Sequence, residues 1–439
     1  MRSWFVRARE SFWLLPTLFG IAAICLAWGL TELDRLLQAD GTVALPFEAG
    51  LSATGGRAIL TVIGGTMLGV AATSFSITIS VLATTSSTYG PRLVRNFMAD
   101  RGNQLVLAVL TSTFLYTLVV LGAVRTEQDS TSAFVPLVAV GFAVILAVGD
   151  VAVLVYFIHH IAGSVQVTTL QARVSDELRA VIDLVYPESP SAPPAVVTGL
   201  QRTNVVRARS TGYVQFVDID RLVSCARNGD GVLRVTATPG TYVLDGDPIA
   251  EWFLLPTAPA ASAASDPDHD AHADAVERAF SIDSPRTPHQ DLVLAARNLT
   301  EIGVRGLASG TNDPYTAQSV IDALTAALVT LCTRPVSMNR IADADGDLRV
   351  LCAWPTPDEV MQEVLATLRI YAVPHPLVVS AIVQAMSRLE KVAAGRCRII
   401  LRVQSDALRD AFVRTEPAQA DAAPILSALD GVRADLASL

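Results

Sequence analysis

Apolar residues dominate four long runs early in the chain, at 12–30, 58–83, 104–124 and 133–158, with short polar connections between them. A helix needs about 20 apolar residues to cross a hydrocarbon core, so each run predicts one transmembrane helix. Residues 1–161 thus read as a four-helix membrane domain. Beyond them the pattern changes. Residues 162–203 form a helical connector broken by prolines between 187 and 194, and 204–256 alternate in short runs bounded by Gly, Asp and Pro, which predicts a small β unit. An Ala-, Ser- and Asp-rich stretch at 257–275 reads as a flexible linker. From 276 to 439 apolar positions recur at helical spacing, with a short hairpin at 336–354. The predicted class is an α-helical integral membrane protein with a cytoplasmic α+β region, a small β-barrel-like unit followed by a mainly helical domain.

Arginines set the expected orientation. Arg2, Arg7 and Arg9 precede the first run, Arg92, Arg95 and Arg101 lie between the second and third, and Arg173 and Arg179 follow the fourth. The other two connections carry Asp34, Asp40, Glu48, Glu127 and Asp129 against Arg35, Arg57 and Arg125, so the positive-inside bias places both termini in the cytoplasm. The first run lacks a small-x-small cleavage site, and Trp4, Phe5 and Trp13 suit interfacial anchors of a retained helix. Arg57 suits a snorkelling anchor at the outer start of the second run.

The second run has an unusual face. Gly65, Gly69, Thr73, Ser76, Ser80, Ala83 and Ser87 recur at spacings of three and four, which makes one stripe of the helix small and polar. Two physical readings account for it. Small residues let helices approach closely in lipid, and hydroxyls bond to their own backbone without water. Alternatively, Thr73, Ser76, Ser80 and Thr84 line a hydrated path. No proline interrupts the run before Pro91, so the helix is expected to project beyond the inner leaflet.

Asp150 is the one carboxylate well inside a run, and a charge at that depth is expensive unless protonated, paired or wet. It joins the expected polar path. His159 and His160 follow at the cytoplasmic mouth, as interface histidines or as a proton-sensitive pair.

Composition narrows the chemistry. A net charge of -9 offers no basic face for nucleic acid. Lys391 is the only lysine, and it lies outside any phosphate-loop pattern. The segment from Pro239 through Gly240 and Gly246 to Ile249 has the turn spacing of biotinyl and lipoyl barrel-sandwich modules, but without the lysine that carries their cofactor. Five cysteines stand isolated from one another and read as reduced thiols. Asp266, Asp268, His269, Asp270, His272 and Asp274 lie in the linker with nothing evident to orient them as metal ligands, so a solvated loop accounts for them. Asp343, Asp345 and Asp347 surround Gly346 at the wrong position for a calcium loop and read as a turn. No catalytic set, metal site or cofactor is expected.

Three separated motifs carry a resemblance. They are Ser74-Phe75-Ser76-Ile77-Thr78 through Ser86-Ser87-Thr88-Tyr89-Gly90-Pro91-Arg92, then Phe157-Ile158-His159-His160-Ile161, then Ala308-Ser309-Gly310-Thr311-Asn312-Asp313-Pro314-Tyr315-Thr316-Ala317. In this order the chain resembles the bacterial membrane proteins of domain-of-unknown-function family 2254. The resemblance implies four spans, a cytosolic C-terminal region and the bacterial inner membrane, and brings no activity. The family more usually has proline where this chain has Gly310. In the third motif Gly310 can end one helix in a left-handed conformation while Asp313 caps the next and Pro314 opens it. A ligand loop of Ser309, Asn312 and Asp313 is the other reading, because free N–H groups at a helix start attract anions.

The expectation is a non-enzymatic, homo-oligomeric channel or transporter in the lipid bilayer, passing a small ion or solute. Four spans are few for a monomeric pore. A membrane-anchored sensor or scaffold is the alternative.

Overall fold

The computed structural model describes residues 14–40, 52–89, 100–125, 134–164, 166–188, 199–254, 269–335 and 339–437. Trp4, Phe5, Trp13, the Gly90-Pro91-Arg92 end of the first motif, Asp266, Asp268 and most of the expected linker lie outside them. The chain divides into two compact units, Met1–Thr169 and Leu170–Leu439.

Among the described residues four apolar helices make up the first unit: α1 (Leu14–Asp40), α2 (Ala53–Tyr89), α3 (Arg101–Ala123) and α4 (Leu137–Ser164). All four are long and apolar enough to cross a membrane. At 37 residues α2 is about 55 Å long, well beyond the roughly 30 Å of hydrocarbon. The helix α3 packs on each of the other three. Two apolar clusters fill the bundle. One gathers Ala27, Leu60, Tyr116, Val120, Ala139 and Ala143, the other Ala71, Val106, Leu110 and Phe157.

The two clusters leave a layer between them. On α2 the layer falls at Gly64, on α3 at Thr113 and Thr117, on α4 at Asp150. A Cβ on Gly64 would lie 2.8 Å from the Thr117 hydroxyl, so glycine there lets α2 close on α3. At one end Asp34 of α1 is buried and accepts hydrogen bonds from the Val138 and Ala139 amides, both at 3.0 Å. It thereby satisfies two of the orphan donors at the start of α4. Tyr116 donates to the Ala139 carbonyl at 2.9 Å beside it, and Arg57 donates to the Val124 carbonyl at 3.4 Å.

The second unit is α+β. After α5 (Val167–Val185) come β1 (Gln201–Arg207), β2 (Gly212–Val217), α6 (Ile219–Asn228), β3 (Gly231–Val235), β4 (Tyr242–Val243) and β5 (Pro248–Leu254). Then follow α7 (His269–Glu277), β6 (Phe280–Asp283), α8 (Leu292–Gly306), α9 (Pro314–Thr333), β7 (Arg340–Ala342) and β8 (Leu348–Cys352). Helices α10 (Pro357–Ala372), α11 (Pro376–Glu390), α12 (Gly395–Val413) and α13 (Gln419–Ala437) complete it.

The expected β-barrel-like unit is not formed. Instead the described residues form two open sheets, β1-β5-β3-β8-β7 and β4-β2-β6. The reason is long-range pairing: β3 takes β8 as a parallel neighbour, and β2 takes β6 as an antiparallel one. The turn glycines Gly240 and Gly246 take positive φ of 92° and 91°. A Cβ on Gly240 would also collide with Asp291 Oδ2.

Helix α9 is long and apolar enough to be a fifth span by composition alone. Its Val320, Ile321, Leu324, Leu328 and Leu331 are buried, and it packs against α8 and α11, which accounts for that apolarity without lipid. The cysteines are less isolated than their spacing suggested. The Cys332 thiol near the end of α9 meets Cys397 at the start of α12, and both are free thiols.

Candidate functional site

Helix α2 presents two unlike faces. Leu60, Gly64, Ala71 and Ser74 turn inward and are buried. Two residues on from Ala71 and Ser74, about 200° around the helix, Thr73 and Ser76 are exposed. Gly65, Gly69, Ser80, Ala83 and Thr84 are exposed with them, and nothing lies within 4 Å of a Cβ built on Gly65 or Gly69. The side chain of Ser87 lies outside the described residues. The described part of the stripe therefore lies on the outside of a single chain. Two of its hydroxyls fold back on their own helix: Thr73 donates to the Gly69 carbonyl at 2.9 Å and Thr84 to Ser80 at 3.0 Å.

Other outward faces of the bundle differ. On α4, Ile145, Val148, Val151, Val155 and Ile158 are exposed, and on α1, Leu18, Ile21, Ile24 and Trp28. Bulky apolar side chains suit contact with acyl chains. A strip of glycine and hydroxyl residues offers lipid little to pack against and suits another backbone or water.

Asp150 is not part of that strip. It is 1% exposed, in the layer between the two apolar clusters, and faces the Thr113 hydroxyl of α3. Sequence pattern singled out Asp150 but not Thr113, which is one of four serine and threonine residues on α3 and becomes distinct only when its neighbour is known.

The two histidines part company. His159 is exposed. His160 is half-buried, with Nε2 3.0 Å from both oxygens of Asp100, and its ring stacks on Tyr156 at 5.4 Å. Asp100 also caps α3 by accepting from the Gly102 amide at 2.8 Å. The cap and the histidine share one carboxylate, and Gly102 makes room for the arrangement: a Cβ there would sit 2.6 Å from His160 Nε2. Gly102→Ala should break the His160–Asp100 contact and lower thermal stability by about 1 kcal/mol, although alanine is the better helix former. An unchanged melting temperature in detergent would show that the contact contributes nothing.

The third predicted site is a capping structure. Asp313 accepts from the Tyr315 and Thr316 amides at 3.1 and 3.0 Å and from the Thr316 hydroxyl at 2.6 Å. These bonds hold its carboxyl below the ordinary carboxylate value, the Thr316 hydroxyl contributing most. The start of α9 is thus occupied by the chain's own anion, and Ser309 and Asn312 lie exposed beside it. The left-handed residue is Asn312, at φ 46°, rather than Gly310. Asparagine tolerates that conformation, and α8 has already ended at Gly306.

Comparison with known proteins agrees with the motifs. The sequence profile described as predicted membrane protein (DUF2254) matches residues 9–388. The chain belongs to that family. It is 31% identical over 384 residues to the uncharacterized protein Rv1290c of Mycobacterium tuberculosis H37Rv, covering 85% of this chain and 71% of the relative. The uncharacterized protein Mb1321c of Mycobacterium bovis matches to the same extent. No solved structure matches. Family membership makes this a multi-pass membrane protein in contact with a lipid bilayer.

Proposed function

We propose that the protein is a homo-oligomer in which the α2 helices of several copies meet and carry a path for a small ion or solute, with the C-terminal unit assembling or gating it. One observation carries this reading. On the face of α2 opposite its packing side Gly65, Gly69, Thr73, Ser76 and Ser80 form a small, polar strip bordered by exposed Leu68, Phe75, Ile77 and Ile79, while the outward faces of α1 and α4 are bulky and apolar. Gly65 and Gly69 suit close approach of two copies, and Thr73, Ser76, Ser80 and Thr84 supply hydroxyls along the same line. The arginine bias supports a cytoplasmic position for both termini, and the resemblance to bacterial proteins supports an inner-membrane location.

The test is flux together with access. Purified protein in liposomes should pass small monovalent ions, and Ser76→Leu or Ser80→Leu should reduce the flux at least about tenfold by filling the strip with apolar volume. In a Cys25→Ser background, Ser76→Cys and Ser80→Cys should react with water-borne thiol reagents and crosslink between copies. Crosslinking without aqueous reactivity and without flux would leave dry packing of an anchored sensor or scaffold, the second reading. That reading is favoured by Thr73 and Thr84, whose hydroxyls are satisfied by their own helix and need no water.

A further inference from the structure

Among the described residues the membrane unit holds one buried carboxylate without a hydrogen-bond partner, Asp150, and the α2 strip does not use it. Asp150 stands near the middle of α4, about 18 Å along the helix from Val138 and about 15 Å from His160. Neither of its oxygens makes a hydrogen bond of good geometry, nor does the buried Thr113 hydroxyl, and the two groups face each other closely enough to share a proton. Thr113 is the odd one among the hydroxyls of α3. Thr111, Ser112 and Thr117 each donate to a carbonyl of their own helix, at 2.6, 2.8 and 2.8 Å.

No described charge approaches Asp150 from the packed helices. Glu32, Asp34 and Arg35 lie toward one end of α1, and Arg57 near the start of α2. Asp100 and Arg101 lie at the start of α3, and His159 and His160 near the end of α4. Of the nearer phenols, Tyr116 is committed to the Ala139 carbonyl and Tyr156 is stacked on His160. Above and below, the two apolar clusters close the layer off.

Ligand chemistry follows from what the layer offers. A carboxylate with no cation and a single hydroxyl for company would cost several kcal/mol in such surroundings. Metal cations bound by oxygen take about six or more ligands, and three oxygens face one another here. A proton needs one lone pair. We propose that Asp150 is a proton-binding site, its carboxylic acid donating to Thr113 Oγ1 and exchanging with water only when one of the two flanking apolar clusters parts. The Thr113 hydrogen is then free to turn onto a carbonyl of its own helix, as its three neighbours do. Intramembrane carboxylates of this kind serve proton relays. The site lies inside one copy and stands whether or not copies assemble around α2.

Hydrophobic carbodiimides add to a buried carboxyl in its protonated form. Full-length protein in liposomes, treated with such a reagent and mapped by mass spectrometry, should carry the adduct on Asp150. On the alkaline side of the titration the adduct should fall by about tenfold per pH unit, as the acid fraction does. The infrared acid C=O band, assigned by subtracting the Asp150→Asn spectrum, should fade over the same range, and Thr113→Val should shift it. Adduct formation that ignores pH overturns the proposal. So does protection by sodium ions at constant pH, which would make the ligand an alkali cation, and so does absence of both adduct and acid band at every pH. The labelling is read on the unmutated protein, so failure of a variant to fold does not blunt it.

Discussion

Arg349→Met should free the β7–β8 hairpin of the second unit, lowering its local stability by about 3 kcal/mol, because the substitution strands a buried carboxylate. Arg349 and Asp343 are both buried, Nε to Oδ2 at 2.7 Å, and the guanidinium reaches the exposed Asp347 and Asp230 at 3.4 and 3.5 Å. Asp343 also organises the turn itself. Its Oδ1 accepts from the Asp345 and Asp347 amides, each at 3.0 Å, and Gly346 takes the positive φ of 88° that closes it. Methionine keeps the volume of the arginine stem and removes the charge. Amide exchange across 340–352 should then accelerate about a hundredfold, read by mass spectrometry on the full-length protein. The acid dependence follows from the same pair. The Arg349 hydrogen bond holds the Asp343 carboxyl below its ordinary value of 3.8. A carboxyl lowered on folding contributes stability in full above its unfolded value and loses it as the pH falls through the folded one. The hairpin of the unmutated protein should therefore hold its protection down to about pH 4 and lose it below. Equal exchange in the variant and the parent would show the pair to be idle.

What the sequence made legible divides along range of contact. The four spans were readable because their signal is local: a run of apolar residues of sufficient length needs no partner to declare itself. The same holds for α9, α10 and the hairpin. The barrel reading failed because β3 and β8 are separated by more than a hundred residues, and strand alternation with turn glycines is the same whether strands close on themselves or recruit a distant neighbour. At the third motif the pattern named the right cap, Asp313, and the wrong left-handed residue, because both Gly310 and Asn312 tolerate that conformation and the end of α8 decides between them. The candidate site was half visible. Asp150 stood out by charge, and the α2 strip by spacing. Thr113 and Asp100 did not, since what marks each is a partner on another helix. The sequence also joined Asp150 to the α2 path, whereas burial sets the carboxylate inside the bundle and the strip outside.

Asp34→Ala should destabilise the membrane unit by about 2 kcal/mol, the effect of a charged cap with two bonds in a buried setting. In sequence Asp34 is one of several acidic residues after the first apolar run, and there it counts only toward orientation. In the fold α1 continues past it to Asp40, which brings its carboxylate to the first amides of α4 across more than a hundred residues of chain. The Ala139 amide is buried, and Pro136, just before Leu137, offers no side-chain oxygen for the role. Alanine leaves the Val138 and Ala139 donors bare. Asparagine restores one acceptor, so Asp34→Asn should fall between the two. The neighbouring Gln38→Ala, which loses a single bond to the Val135 carbonyl at the exposed rim, should stay within about 0.5 kcal/mol of the parent. Unfolding in graded detergent mixtures, followed by helical circular dichroism, gives the ranking. If alanine and asparagine behave alike and both match the parent, the start of α4 is satisfied by something other than α1, and the bundle is held together by its two apolar clusters alone.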